Sequence, residues 1–169
     1  ALTSFTENSA ESGGAICNNN FLWLADIGLF GGNKANFAGG AVCNIEDGVI
    51  LFDKMHDFVG NSSAFVGGAV FNSSGTVILG DGANFVNNKA DKFGGAVYNE
   101  GGGVLLVAKT KDILFEGNTA NGVSNAIYDD GGEIRLNASS KARVIFNDKI
   151  VSKDNTSVLN INATVPQIK

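Results

Sequence analysis

The 169-residue chain has few of the residues that punctuate or cross-link most folds: one proline, one histidine, one methionine, one tryptophan and two cysteines. Two cysteines, Cys17 and Cys43, are too few for a disulfide framework and lack the spacing of a metal site. A lone histidine without a second histidine or a cysteine partner makes a poor zinc site. His56, flanked by Asp53 and Asp57, reads as a solvated turn residue. Charged residues are 17% of the chain, and 12 basic ones leave a net charge of −5. That balance argues against nucleic acid or an anionic membrane as the main partner. No run approaches 18 consecutive apolar residues, so no membrane insertion by a helix of this fragment is expected. A nucleophile elbow, a P-loop and a dinucleotide fingerprint are also missing. What the chain does have is 23 glycines and 21 asparagines within a composition that is 44% apolar, which is too hydrophobic for disorder.

The glycines and asparagines are periodic. Phe-x-x-Asn occurs at Phe5 to Asn8, Phe30 to Asn33, Phe58 to Asn61, Phe85 to Asn88 and Phe115 to Asn118. Eight or nine residues after each Phe comes a second motif: Gly13-Gly14-Ala15-Ile16, Gly39-Gly40-Ala41-Val42, Gly67-Gly68-Ala69-Val70 and Gly94-Gly95-Ala96-Val97. In the fifth copy it has decayed to Ser124-Asn125-Ala126-Ile127. Successive Phe spacings of 25, 28, 27 and 30 residues define a repeat, and a repeat sets the architecture.

Each unit holds three short apolar runs bounded by Gly, Asn and Asp. One carries the Phe, one follows the glycine pair, and a third follows another turn, as in Val49 to Phe52 or Val104 to Val107. Runs this short and rich in β-branched and aromatic residues are strands, and no window has a helical period with a capping signal. The expected fold is therefore all-β: a right-handed single-stranded parallel β-helix with three strands per coil and about 27 residues per coil. Residues 1–137 would make about five regular coils. Residues 138–169 would make a degenerate final coil or cap, in which the segment from Asn147, with Pro166 near its end, folds over the rod end or adds a strand along its side.

In such a coil the Phe side chains stack inside, and each Asn holds a left-handed corner and bonds to its counterpart one coil on. The glycines permit positive φ or close backbone approach. Ile16, Val42, Val70, Val97 and Ile127 should point inward, and the variable column Cys17, Cys43, Phe71, Tyr98 and Tyr128 outward.

Tandem Gly-Gly-Ala-[Ile/Val] paired with Phe-x-x-Asn at this spacing, from Phe5 to about Tyr128, resembles the passenger domain of the chlamydial polymorphic membrane proteins. The resemblance implies an autotransporter with an export signal and an outer-membrane barrel elsewhere. It further implies a β-helical passenger on the bacterial surface or secreted after processing, and attachment to a host-cell receptor, protein or glycan, in which the two motifs take part. The first residues carry no export signal and both ends fall mid-pattern, so the chain is expected to be an excised piece of such a passenger. No cofactor, metal or catalytic residue is expected.

Other readings stay open at this level. Candidate contact loops are Phe21 to Leu29 with Trp23, Lys54-Met55-His56-Asp57, and Lys109-Thr110-Lys111; Trp23 reads equally as a core or cap residue. A carbohydrate-active enzyme would need carboxylates converging on one face, whereas Asp47-Gly48 and Asp81-Gly82 are turn chemistry first. Asp129-Asp130-Gly131-Gly132-Glu133 could hold a hard cation but lacks a calcium-binding repeat. A structural spacer is a further possibility. Cys17 and Cys43 share a column in adjacent coils about 4.8 Å apart, so they could form a disulfide, stack as buried thiols or bridge between chains. Open coil ends would favour homo-oligomers by end-to-end stacking.

Overall fold

The computed structural model describes residues 2–154 and 156–163, and every regular element among them is a strand. The strands form four six-stranded sheets that wind as one parallel β-solenoid. The first sheet carries the Phe motif: Leu2–Thr6, Ile27–Gly31, His56–Val59, Asn84–Val86, Ile113–Glu116 and Val144–Phe146. The second stacks Ser9–Ser12, Lys34–Ala38, Ser62–Ser63, Lys89–Ala90 and Thr119–Ala120, with Val123–Ser124 added at its end. The third, after the glycine pair, is Ile16–Asn18, Val42–Asn44, Val70–Ser73, Val97–Glu100, Ile127–Asp130 and Ile150–Ser152. The fourth is Phe21–Leu24, Val49–Phe52, Thr76–Leu79, Gly103–Ala108, Glu133–Ala138 and Val158–Ala163. Six coils at the parallel-strand spacing give a rod about 24 Å long.

Three of these sheets are the three runs of each repeat. The second is an addition, because strands of two residues such as Ser62–Ser63 and Lys89–Ala90 leave no apolar run to notice. Past residue 147 the chain keeps winding: Ile150–Ser152 pairs in parallel with the strand at Ile127, and Val158–Ala163 with Glu133–Ala138. Pro166 lies outside the described residues.

Register follows the motifs. Phe5 faces Phe30, Phe30 faces Phe58, Phe58 faces Phe85, Phe85 faces Phe115 and Phe115 faces Phe146 across neighbouring coils. Their rings stack at centroid distances of 4.9, 4.8, 4.5, 4.7 and 4.7 Å. Phe52 closes the column from the side, edge-on to Phe30 and Phe58 at 5.9 and 5.2 Å. Val42, Val70, Val97 and Ile127 are fully buried beside them, with the inner residues of the fourth sheet (Ile50, Val77, Leu79, Val104 and Leu106) on the far wall.

The glycine pair is required twice over. Gly67 sits at φ +64, and a Cβ there would strike the carbonyl of Val70. A Cβ on Gly68 would strike the carbonyl of Gly95 in the next coil, so the second glycine is needed for coil stacking. Where the pair decays at Ser124-Asn125, the chain instead makes a small hairpin. Thr119 and Ala120 pair antiparallel with Ser124 and Val123, around Asn121 and Gly122, which are both at positive φ.

Candidate functional site

The Phe-x-x-Asn residues of the inner coils lie inside the rod. Asn33, Asn61, Asn88 and Asn118 are fully buried. Each side-chain N–H group in this ladder donates along the axis: Asn8 to Asn33 Oδ1 (3.0 Å), Asn33 to Asn61 (3.0 Å), Asn61 to Asn88 (2.9 Å) and Asn88 to Asn118 (2.9 Å). Each buried Asn also donates to the Phe carbonyl one coil back, as Asn61 does to Phe30 at 2.8 Å. One expectation is corrected here: the Asn residues do not take the left-handed corner. The residue before each does, namely Glu7, Gly32, Gly60, Asn87 and Gly117, and this turns the amide inward.

A second ladder runs through the third sheet. Asn18 donates to Asn44, Asn44 to Asn72, Asn72 to Asn99 and Asn99 to Asp129, at 2.7, 2.8, 2.7 and 2.6 Å. Its signal was present in the sequence, since the run after each glycine pair ends in Asn or Asp.

With the motifs turned inward, other residues lie outside the coil core at the glycine corners. On one side, Phe37, Phe65 and Phe93 are 48, 41 and 42% exposed, and Phe37 stacks on Phe65 at 5.3 Å. On the other side the outward column of the third sheet runs Cys17, Cys43, Phe71, Tyr98 and Tyr128, in register. Phe71 stacks on Tyr98 at 5.9 Å and Tyr98 on Tyr128 at 5.4 Å, while Phe93 reaches across the corner to Tyr128 at 4.5 Å. Ala38 and Val66 fill the seam between the two columns. The hydroxyl of Tyr98 donates to Asp130 at 2.8 Å, and burial with this carboxylate raises its pKa far above the ordinary value. The result is a row of exposed Phe rings beside an aromatic column in which Tyr98 is buried.

The cysteines begin the same column, and the remaining candidates lie apart from it. Cys17 and Cys43 face each other in register as two free thiols, Cys17 exposed and Cys43 buried. Burial, and then the neighbouring Cys17, push the Cys43 thiol up to about 12. Trp23 and Phe21 are exposed on the outer face of the fourth sheet. His56 is not a solvated turn residue: it is 1% exposed, inside the rod, because its strand places it two residues before the stacked Phe58 on the same inward face. Lys109-Thr110-Lys111 forms a turn whose three backbone N–H groups donate to Asp81 at 2.8 to 2.9 Å. These bonds, with that from the Thr110 hydroxyl, outweigh desolvation and hold the Asp81 carboxyl down to about 2.

The carboxylates of the candidate cation site are engaged separately. Asp129 accepts from Asn99, Asp130 pairs with Lys153 at 2.9 Å, and Glu133 pairs with Arg135 at 2.7 Å. Among the described residues no group of three or more metal-ligating side chains is assembled.

Residues 2–19 and 82–100 match the family model for the Chlamydia polymorphic membrane protein repeat. Both segments are similar to that repeat. The matched segments hold Phe5 to Ile16 and Phe85 to Val97. The copies at Phe30 and Phe58 lie in register between them, outside the matched residues. The repeats and the solenoid together support a polymorphic membrane protein passenger fragment. Comparison with curated proteins and with solved structures finds no match.

Proposed function

We propose that this chain is a surface-displayed passenger segment of a polymorphic membrane autotransporter that attaches the bacterium to a host-cell surface protein. We place the contact at the aromatic surface of the glycine corners. The observation that carries the reading is the division of labour within the repeat: Phe-x-x-Asn is buried, while Phe37, Phe65 and Phe93 stand 41 to 48% exposed beside the stacked Phe71, Tyr98 and Tyr128. Exposed aromatic clusters on a rigid frame are where binding energy concentrates. Stacked rings cover one another's faces, so the surface offers ring edges and apolar seams rather than open faces. That favours a protein surface over a sugar ring, which would need a free face to stack on. In this reading the two motifs act on adhesion through the fold, and attachment needs no catalysis.

The test is binding of the 169-residue chain to host cells, with Phe65→Ser and Phe93→Ser combined. Both side chains lie outside the coil core, so the variant should keep its β spectrum and a cooperative melt, lowered by the lost contacts with Phe37 and Tyr128, while binding falls about tenfold or more, the weight of a hot-spot pair. Unchanged binding in the folded variant overturns the placement. Binding of the parent no better than that of an inert β-solenoid of similar charge leaves the chain a spacer. Loss after glycosidase treatment of the cells would point to a glycan instead.

A further inference from the structure

We infer that the rod carries a small-ligand site at His56, independent of the adhesive reading, which takes a single aromatic ring bearing one hydroxyl or N–H donor. A cavity of about 220 Å³ opens between the first and fourth sheets in the N-terminal coils, lined by Thr3, Phe5, Trp23, Asp26, Phe30 and His56, among others. That volume is below the range of drug-sized pockets and suits one ring. Phe5 and Phe30 are stacked in the interior column, so the wall is aromatic and fixed.

His56 supplies the polar contact. Its Nδ1 lies 2.7 Å from the carbonyl of Lys54. A carbonyl only accepts, so Nδ1 carries the proton of the neutral ring and Nε2 is left with a lone pair. Among the described residues no hydrogen bond reaches Nε2, although the side chain is 1% exposed. Beside the cavity that His56 lines, this lone pair is an acceptor for a donor brought by a ligand. The Cδ2–Nε2 edge faces Gly28, where an added Cβ would stand 2.6 Å from Cδ2 and 3.1 Å from Nε2. The glycine therefore leaves the room that the imidazole edge occupies. Phe52, edge-on to the imidazole at 5.1 Å, and Phe30 at 6.3 Å fix the ring plane. Asp26 and Lys54 pair across 3.6 Å on the exposed side of the site, where an entering ring meets charge only at its rim. A phenol or indole would bury its ring against Phe5 and Phe30 and donate to Nε2. Benzene-like rings would gain the burial alone.

The single histidine and single tryptophan make the test unambiguous. The ¹⁵N-labelled chain at pH 7.5 is titrated with phenol and with toluene, following the imidazole nitrogens and Trp23 emission. Phenol should shift the Nε2 resonance, leave Nδ1 nearly unmoved, change Trp23 emission saturably, and bind about threefold to tenfold better than toluene, the worth of one neutral hydrogen bond. In His56→Phe that preference should vanish while toluene still binds. If His56→Phe does not fold, the nitrogen shifts of the parent chain decide alone. No saturable response to phenol, an unmoved Nε2 at saturation, or equal affinity for toluene overturns the inference. A Gly-Tyr-Gly peptide separates two sources of the same chemistry. Competition with phenol means the site reads a partner's tyrosine, and phenol binding without peptide binding means it takes a free small molecule.

Discussion

Asn118 donates its side-chain N–H to Asp148 at 2.8 Å, and Asp148 ends the ladder. Its carboxylate also accepts from the backbone N–H groups of Gly117 and Asn118 at 3.1 and 2.8 Å. A carboxylate has no proton to hand to a further coil. The ladder is therefore directional, giving at Asn8 and receiving at Asp148. The second ladder ends in the same way, with Asn99 giving to Asp129.

Position along the ladder should set the energetic weight of each Asn. Asn88 accepts from Asn61 and donates to Asn118 and to the carbonyl of Phe58, all buried. Asn88→Ala strands several of these groups and should lower unfolding stability by roughly 2 to 5 kcal/mol, since each buried unpaired group costs about 1 to 3 kcal/mol. Asn8→Ala, at the exposed end, should cost about 1 kcal/mol or less. Urea unfolding of the two variants checks the ratio; equal losses would mean the ladder is not cooperative along the rod.

The same polarity bears on assembly. Unpaired strand edges at the rod ends invite another copy, but Asp148 meets the incoming Asn8 with no donor. Asp148→Asn restores one, so it should raise concentration-dependent end-to-end association above that of the parent chain, read by light scattering at matched concentration and salt. Identical scattering from the two proteins would separate association from the amide ladder.

Most of the coil was legible in the sequence because its periodic positions are the ones that stacking constrains most tightly. The Phe column, the glycine corners and the inward Val and Ile residues each repeat near 27 residues, and all lie in register. The short second sheet was not legible: a strand of two residues such as Lys89–Ala90 is held by its neighbours and has no pattern of its own. His56 was misread because local sequence, with Asp53 and Asp57 beside it, suggests water. Only the distance of two residues from Phe58 along an alternating strand places it inside. The aromatics outside the coil core were read only in part. Phe71, Tyr98 and Tyr128 were seen as an outward column, whereas Phe37, Phe65 and Phe93 belong to no motif and come together only because the corners fold back.

Burial of His56 makes stability depend on pH. Burial is the dominant cause that lowers its pKa below the ordinary value, against smaller opposing effects from the Lys54 carbonyl and the Asp57 and Asp53 charges. The unfolded chain therefore binds a proton more readily than the native one. As pH falls from about 6.5, its unfolded value, toward the lower native value, stability should drop; above pH 7 this contribution is constant. Urea midpoints between pH 7.5 and 5 should decline for the parent chain and flatten in His56→Phe over that window. A parallel decline in both would assign the effect to other groups.

The cysteine pair should react unequally. Cys43 is buried with its thiol pushed up to about 12, so at pH 7.5 its nucleophilic thiolate is scarce, while Cys17 is exposed. Brief treatment of the native chain with a maleimide should therefore modify one cysteine, Cys17, and modify both after unfolding, as read by intact mass. Cys17→Ser should leave the native chain nearly unlabelled. With a mild oxidant instead, the in-register pair should close a bridge within one chain, a loss of 2 Da without a dimer band, because Cys43 is shielded from other molecules. A covalent dimer through Cys17 would show that the two thiols, adjacent though they are, do not reach bridging geometry faster than two chains meet.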